Sequence, residues 1–250
     1  MARQRGPLKV QGTLGDINFY KSQDGYLVRE KGGVDGKRIK KDPVFQRTRE
    51  NGTEFGRAGR AGKLLRTAVR PLILNADNRV VSRLHQQLMK VIQADLTSAR
   101  GMRNVVDGDA GLLTDFEFNS RSPLGTTFFA PYVGAINRVT GSITLDIPAF
   151  VPADMIVAPS GATHFKIISG GAEIDFANRT FVVATDESAV LPWNGVATVP
   201  INHSHAVTAA SSAPLFLVLC IAFYQEINGE MYMLHNGTFN SSGVLRVSKV

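Results

Sequence analysis

"LFLVLCIAFYQEINGEMYML", residues 215–234, is the stretch that most clearly indicates a β-sheet protein. Its apolar run of nine residues, 215–223, is too short for a membrane helix, which needs about 20 apolar residues. Asn228-Gly229 then separates two runs of apolar and polar residues. Because Asn-Gly favours a two-residue hairpin turn, we expect antiparallel strands near 215–225 and 230–235.

The same pattern covers the chain from about residue 113 onwards. Short runs rich in Phe, Val, Ile and Thr are separated by turn residues every 8 to 15 positions, which is typical of all-β proteins. We interpret residues 104–250 as an antiparallel β-sandwich of the jelly-roll or immunoglobulin-like type. The other strands are expected near 114–118, 127–135, 142–147, 164–168, 180–184, 196–201 and 244–249.

The N-terminal segment has a different composition. Residues 8–31 alternate apolar and polar around Asp24-Gly25, which predicts a β-hairpin with strands near 17–21 and 26–30. The segment that follows, "GGVDGKRIKKDPVF", is glycine-rich and basic and has few large apolar residues. We therefore expect residues 1–43 to form a basic arm that is mobile unless another surface holds it.

Two helices are expected between this arm and the strands. Asp42-Pro43 pairs a capping residue with a proline suited to a first helical turn, and a helix should follow over 44–68. A second helix fits 77–99, with Asn75 or Asp77 as its N-cap and Gly101 as its C′ residue. The sequence thus predicts an α+β protein in three parts, namely an arm (1–43), a helical segment (44–103) and a β-sandwich (104–250).

Charge is distributed unevenly along the chain. The formal net charge is +7, but residues 1–103 contain 22 Lys/Arg and 9 Asp/Glu, whereas residues 104–250 contain 6 and 12. This asymmetry indicates an anionic partner, either nucleic acid or the acidic part of a neighbouring subunit. A solvated basic face is the alternative explanation.

"EFGRAGRAGKLLR", residues 54–66, combines glycines and cations in a way that suggests a phosphate-binding loop. A Walker A motif requires a glycine where this sequence has Arg57 and a hydroxyl residue where it has Leu64, so the motif fails at both positions. A helix fits better, because the residues recur every three or four positions. The glycines would then allow close helix packing: Gly52, Gly56, Gly59 and Gly62.

The cations of this helix would form a basic strip, able to meet phosphates or carboxylates. Few aromatic residues suited to base stacking lie nearby, only Phe45 and Phe55. Together with the basic run of the arm, the residues predicted to contact neighbouring subunits or nucleic acid are Lys37, Arg38, Lys40, Lys41, Arg57, Arg60, Lys63, Arg66 and Arg70.

Catalytic and metal-binding signals are sparse. His203 and His205 would share one face of a strand and are candidate metal ligands, with His164 or His235 as a third. Ala209 stands where cupin-type sandwiches add a glutamate, so loop or surface histidines are the preferred interpretation and no metal or other cofactor is predicted. Carboxylate pairs lack a catalytic partner.

Two further residues bear on function. The single cysteine, Cys220, lies in an apolar run, where thiols are normally inert, and the sequence has no Gly-x-Ser-x-Gly elbow; we predict that the protein is not an enzyme. Trp193 lies between a proline and an Asn-Gly turn. It is either an exposed contact residue or a side chain folded back onto the sandwich.

The N-terminal third resembles an uncharacterised group of Bacteroidota proteins. The resemblance is carried by "VQGTLGDINFYKSQDGYLVREKGG" (10–33) and "DPVFQRTRENGTEFGRAGRAGKLLR" (42–66). No established activity belongs to this group, so the resemblance implies neither a function nor a site residue.

These observations predict a non-enzymatic structural subunit that self-assembles into a homo-oligomeric filament or shell, with the basic arm engaging neighbouring copies. The alternatives are a nucleic-acid-binding protein and a carbohydrate- or ligand-binding sandwich. The first 30 residues lack a signal-peptide stretch and no membrane insertion is expected. We therefore predict cytoplasmic synthesis, with the protein free or within a virion-like or extracellular assembly.

Overall fold

The computed structural model describes residues 2–73, 76–234 and 239–249. The chain consists of two compact units, Met1–Arg49 and Glu50–Val250. The protein is mixed α and β with few helices, and every strand pair in the described residues is antiparallel. None of its described helices is both long and apolar enough to cross a membrane.

The first unit contains a four-stranded sheet in the order β1-β4-β3-β2. Ser22 pairs with Gly25, so the predicted hairpin is confirmed but its two loop residues are Gln23 and Asp24. A type I′ turn at Asp24-Gly25 would need a positive φ at both residues, but only Gly25 has one, at 102°. The strands are β1 (Ala2–Arg3), β2 (Gly12–Leu14), β3 (Ile17–Ser22) and β4 (Gly25–Glu30).

The basic run expected to be part of a mobile arm forms a short helix, α1 (Gly36–Lys41). Its N-terminus is capped by Asp35, whose carboxylate accepts a hydrogen bond from the backbone N–H of Lys37 at 3.0 Å. Asp42 caps the next turn by accepting from Val44 N–H at 3.0 Å. A 3₁₀ turn then leads into the long helix α2 (Gln46–Ala68), which confirms the helix start predicted from Asp42-Pro43.

The second helix, α3 (Val80–Gln93), is shorter than predicted. The predicted N-cap is wrong, because the helix begins after Arg79, which makes no side-chain capping bond. Asp77 instead accepts from Arg79 N–H at 2.7 Å in the turn before the helix, and Asn75 lies outside the described residues. The helix stops early because the Asp95 carboxylate accepts from the backbone N–H groups of Thr97 and Ser98 at 2.9 Å each. These bonds form a separate turn, so Gly101 is not the C′ residue.

Two sheets and two single-turn helices complete the second unit. The three-stranded sheet has the order β10-β6-β5; the six-stranded sheet has the order β12-β11-β7-β8, with β13 also paired to β11 and β9 to β7. The elements are α4 (Leu124–Thr127), β5 (Val133–Asn137), β6 (Ser142–Ile147), α5 (Pro152–Met155), β7 (His164–Asp175), β8 (Thr180–Glu187), β9 (Leu191–Pro192), β10 (Ile201–Ala206), β11 (Leu215–Ile227), β12 (Glu230–Met233) and β13 (Ser242–Ser248).

Strand β11 explains the apolar run at 215–223, because both of its faces are covered. Phe216 and Val218 belong to a cluster with Leu65 of α2 and Leu88 of α3. The intervening residues, including Leu217, belong to a second cluster with residues of β6. The six-stranded sheet is therefore covered by helices on one face and by the three-stranded sheet on the other.

Most of the predicted strands are confirmed, and the hairpin at Asn228-Gly229 has positive φ at both residues, 53° and 84°. Three predictions are wrong in detail. Residues 114–118 form only an isolated bridge, between Glu117 and Gly243. Helix α4 and a bridge occupy the start of the predicted strand 127–135. The strand predicted at 196–201 begins only at Ile201, after Pro200, and continues to Ala206. The prediction missed this continuation because the buried face of β10 is built partly from histidines.

Candidate anion-binding cavity

An open cavity of about 900 Å³ lies in the second unit, lined by α2, by residues 104–107 and by the turn between β7 and β8. We call it the basic cavity. Its lining contains one carboxylate, that of Asp107, and four cationic side chains. Three of these belong to the predicted basic strip and the fourth comes from the β7–β8 turn: Arg57, Arg60, Lys63 and Arg179.

Helix α2 positions its cations by burying its opposite side. Ala58 and Leu65 lie in the helix cluster, which leaves Arg60 and Lys63 exposed. Close packing at the glycines is confined to the end of the helix. A Cβ at Gly62 would lie 3.2 Å from Leu88 Cδ1 of α3.

The other three glycines depart from the expectation of close helix packing. A Cβ at Gly59 would make only ordinary contact, 3.7 Å from His85, and a Cβ at Gly56 would meet only Arg60 of the same helix. Gly52 has no neighbour within 4 Å. Gly52 and Gly56 are therefore not helix-packing positions within the second unit.

Arg57 is engaged in holding a loop and is not a free cation. Its Nη1 donates to the carbonyl oxygens of Gly101 and Arg103, both at 2.9 Å. One turn earlier, Glu54, only 2% exposed, accepts from Gly101 N–H at 2.7 Å and from Arg103 Nε at 2.9 Å. These bonds fasten residues 101–103 along α2.

Residues 104–107 are held by their own side chains. Asn104 Oδ1 accepts from the backbone N–H groups of Val106 and Asp107, and Asn104 Nδ2 donates to the Asp107 carboxylate at 2.7 Å. Asp95 accepts from Asn104 N–H. Burial tends to raise the pKa of Asp95, but hydrogen bonds from Ser98 and Thr97 outweigh it and hold the pKa well below its usual range.

The turn between β7 and β8 is fixed by Asp175. Its carboxylate accepts from the backbone N–H groups of Ala177 and Asn178, both at 2.9 Å, and from Asn178 Nδ2 at 2.7 Å. The hydrogen bonds from Asn178 lower the pKa of Asp175. The last turn residue, Arg179, has a φ of +60°, a left-handed conformation that costs a non-glycine residue about 1 kcal/mol.

The same turn brings aromatic side chains to the cavity. Phe176 and Phe181 flank it in sequence and both line the cavity. Phe181 is 42% exposed, whereas the Phe176 ring packs edge-on against Phe216, with centroids 6.5 Å apart. A cationic cavity with an accessible ring can bind an anion that carries a flat apolar group.

The remaining predicted cations lie elsewhere. Arg66 is half-buried and Arg70 is exposed, and neither lines the basic cavity. In the first unit, Arg38 pairs with Asp42 at 3.0 Å and lies over the Phe45 ring. The exposed lysines of α1 accompany it: Lys37, Lys40 and Lys41.

The histidines of β10 do not behave as expected. His203 and His205 share one strand face, as predicted, but they are 4% and 1% exposed and not surface residues. His203 Nδ1 and His205 Nε2 lie 2.7 and 2.9 Å from the same Ser169 Oγ. Burial lowers the pKa of both histidines.

Nothing among the described residues adds metal ligands to this pair. His164 instead lies 2.9 Å from Thr163 Oγ1, and His235 lies outside the described residues. Within the described ranges, no three His, Cys, Asp or Glu side chains are placed to hold a metal ion.

Two further candidates are packed into the fold. Trp193 is half-buried against the core between the sheets, and its Nε1 donates to Ile156 O at 3.1 Å; it folds back and is not an exposed contact residue. Cys220 is buried, and its burial raises the pKa of the thiol to about 12, which suits an inert thiol.

Sequence reasoning missed Arg179, Phe176 and Phe181 because no local pattern links them to α2, more than 100 positions earlier. Comparison with protein-family models, with curated proteins and with solved structures finds no match for this chain.

Proposed function

We propose that this protein is a non-enzymatic structural subunit that self-assembles into a homo-oligomeric filament or shell, with its N-terminal unit engaging neighbouring copies. The observation that carries the proposal is the lack of a core in that unit. Of residues 2–49, only Leu27 is buried. Ordering each residue costs about 1–2 kcal/mol of conformational entropy, which one buried leucine does not offset.

Apolar side chains in this unit are available to a partner. Leu8 and Leu14, the most exposed in and beside the sheet, are 83% and 75% exposed. Apolar area buried against a neighbour contributes about 25 cal/mol per Å², so contact with another copy would stabilise the unit. The exposed apolar residues are Leu8, Val10, Leu14, Ile17, Val34 and Val44.

Charge complementarity favours a second copy as that neighbour. Residues 1–49 contain 12 Lys/Arg and 5 Asp/Glu, so the whole formal charge of the chain, +7, resides there. Residues 104–250 have twice as many acidic as basic residues, 12 against 6. The basic unit of one copy and the acidic sheet region of another therefore attract each other.

Strand addition is the proposed mode of contact. The order β1-β4-β3-β2 leaves β1 and β2 at the sheet edges, where backbone groups are free to pair with another chain. We further propose that the N-terminal unit acts as an arm and that the two sheets of the second unit form a sandwich of the jelly-roll or immunoglobulin-like type. Such sandwiches form the subunits of many shells, which is a fold-level analogy.

The test is the assembly state of the full-length chain, measured by light scattering after size-exclusion chromatography and by negative-stain electron microscopy. We expect regular assemblies that a double change, Leu8→Ser with Leu14→Ser, disrupts. The matched control is Val139→Ser, which alters a residue that is 78% exposed in the second unit and should leave assembly unchanged. A wild-type protein that stays monomeric at its highest soluble concentration in low salt would refute the proposal.

A second test addresses charge. Replacing Lys37, Lys40 and Lys41 by Glu should raise the concentration needed for assembly, and added salt should raise it for the wild type, because screening weakens exposed charge pairs. Arg38 is kept because it pairs with Asp42 within the unit. Assembly that ignores both salt and the triple change would show that charge complementarity does not direct the contact.

A further inference from the structure

Three cations of the basic cavity have no partner among the residues that the structure describes. Within the described ranges, the side chains of Arg60, Lys63 and Arg179 form neither a hydrogen bond nor an ion pair, in contrast to Arg57, which holds residues 101–103. Asp107, the one carboxylate of the lining, is hydrogen-bonded to Asn104. The cavity therefore presents an excess of positive charge over its one carboxylate, with the cations on two separate elements, α2 and the β7–β8 turn.

Arg179 stands where the backbone favours another residue. Its φ of +60° belongs to the left-handed region, which glycine and asparagine adopt more readily than arginine. Asp175 fixes the two residues that precede Arg179, Ala177 and Asn178, by three hydrogen bonds. An outlier of this kind motivates a hypothesis of function, and here the side chain so placed is a cation that lines the cavity.

An accessible aromatic ring narrows the class of anion. Phe181 is 42% exposed and lines the same cavity as the free cations. An acidic peptide would need only the cations, whereas a nucleic acid offers both phosphates for the cations and a base for the ring. Bases in a duplex are stacked on one another, so only an unpaired base can use Phe181.

We propose that the basic cavity binds single-stranded nucleic acid, with backbone phosphates on Arg60, Lys63 and Arg179 and a base against Phe181. A cavity of about 900 Å³ holds a few nucleotides, so longer strands extend beyond it. This site lies wholly in the second unit and does not depend on self-assembly.

The experiment is fluorescence anisotropy of the full-length protein with a labelled oligothymidylate of about 12 nucleotides at several salt concentrations. Three phosphate contacts predict a log-log salt slope of about −2. Arg60→Gln and Lys63→Gln should each weaken binding about three- to tenfold and reduce the slope by about 0.7. The matched control is Arg70→Gln, which removes an exposed arginine outside the cavity. Its effect on affinity and on the salt slope should be no larger than that of removing any distant charge.

Two variants distinguish the contributions of the Phe181 ring and of Arg179 to binding from a general effect of positive charge. Phe181→Leu should weaken binding about tenfold with an unchanged salt slope, because it removes stacking and keeps the charges. Arg179→Gly should weaken binding while raising the melting temperature, since glycine relieves the left-handed strain. A merely structural arginine would instead lose stability when replaced.

Competition with unlabelled ligands distinguishes a single strand from a duplex and from a free nucleotide. An unlabelled single strand should displace the probe, whereas a duplex of equal length and thymidine monophosphate should need much higher concentrations. No binding in low salt, or equal loss in Arg70→Gln and Arg60→Gln, would overturn the proposal. Displacement by mononucleotide at the same concentration would assign the cavity to a free nucleotide instead. If the Arg60 and Lys63 variants alter the mass in light scattering but not binding of the strand, the occupant is an acidic part of a second copy.

Discussion

Ser169 Oγ lies 2.7 Å from His203 Nδ1, in the core between the two sheets of the second unit. His205 approaches the same hydroxyl, and its Nδ1 is buried without a hydrogen-bond partner in the described residues. The facing strands thus enclose two imidazoles and one hydroxyl. Burial lowers the pKa values of both rings, His203 lowers that of His205 further, and the charge of Asp186 opposes these effects on both.

Acid should destabilise the fold through these histidines. Burial lowers their pKa values, so the unfolded chain binds protons more readily, and the stability present above about pH 6.5 is lost as the pH falls through the folded-state values. We expect the free energy of unfolding in urea to decrease between about pH 7.5 and about pH 5. The double change His203→Asn with His205→Gln should lower stability at neutral pH and flatten this dependence.

His85→Gln is the control for this prediction, because His85 lies on α3, away from this pair, with its ring tilted against the exposed Phe55 ring. The change in acid dependence should be larger in the double variant than in His85→Gln. An unchanged acid dependence in the double variant would show that the loss of stability has another origin.

Glu117 should produce the opposite pH dependence. Burial raises the pKa of its carboxyl to about 7, against the opposing effects of a hydrogen bond from Leu124 N–H and of Arg83. Its Oε2 is buried without a hydrogen-bond partner among the described residues. A raised carboxyl pKa means that stability is full below about pH 4.5 and decreases as the pH rises through 7, by about 2–3 kcal/mol for a shift of this size.

Glu117→Gln tests this directly, because the amide keeps the acceptor for Leu124 N–H and cannot ionise. We expect the variant to be about 2 kcal/mol more stable than the wild type near pH 8 and close to it near pH 5. Asp109→Asn, at a surface ion pair with Lys249, should change stability by less than about 1 kcal/mol at either pH. If Glu117→Gln is no more stable at pH 8, the carboxyl does not titrate near neutrality.

Local chemistry decided which parts of the fold were predictable. Asn228-Gly229 demands two left-handed residues, and the observed φ values of 53° and 84° match it. Asp42-Pro43 likewise determines the start of α2 through one capping bond. Strand β10 was misplaced because a buried face built with His203 and His205 has the composition of a polar loop.

The basic cavity was only half predictable, for a different reason. Helical spacing places Arg60 and Lys63 on the surface of α2, and the sequence shows this. The partners Arg179 and Phe181 arrive through the pairing of β7 with β8 and the packing of that hairpin on the helices. Long-range packing of this kind leaves no periodic signal near α2.

Replacing the glycines of α2 by alanine should change the free energy of unfolding by different amounts. Gly52 lies in a helix with no neighbour within 4 Å of an added Cβ, so Gly52→Ala should raise the free energy of unfolding by about 1 kcal/mol. At Gly62 an added Cβ would lie 3.2 Å from Leu88 Cδ1, and the gain should be smaller or absent. Urea denaturation of both variants measures the difference, and equal gains would mean that Leu88 moves aside freely.

The ion pair of Glu54 with Arg103 should be essential to the attachment of residues 101–103 to α2. Glu54 accepts from both Arg103 Nε and Gly101 N–H, and it is 2% exposed. Glu54→Gln keeps the shape but leaves the Arg103 guanidinium without its counter-charge, at a cost of about 3 kcal/mol. Urea denaturation measures that cost, and hydrogen exchange at the Gly101 amide should accelerate because its acceptor is weakened.

The control is Glu226→Gln, at a carboxylate that is 45% exposed and 3.8 Å from His164. It should change stability by less than about 1 kcal/mol. Similar small effects in both variants would show that Arg57, through its own bonds to the carbonyl oxygens of Gly101 and Arg103, holds the loop alone.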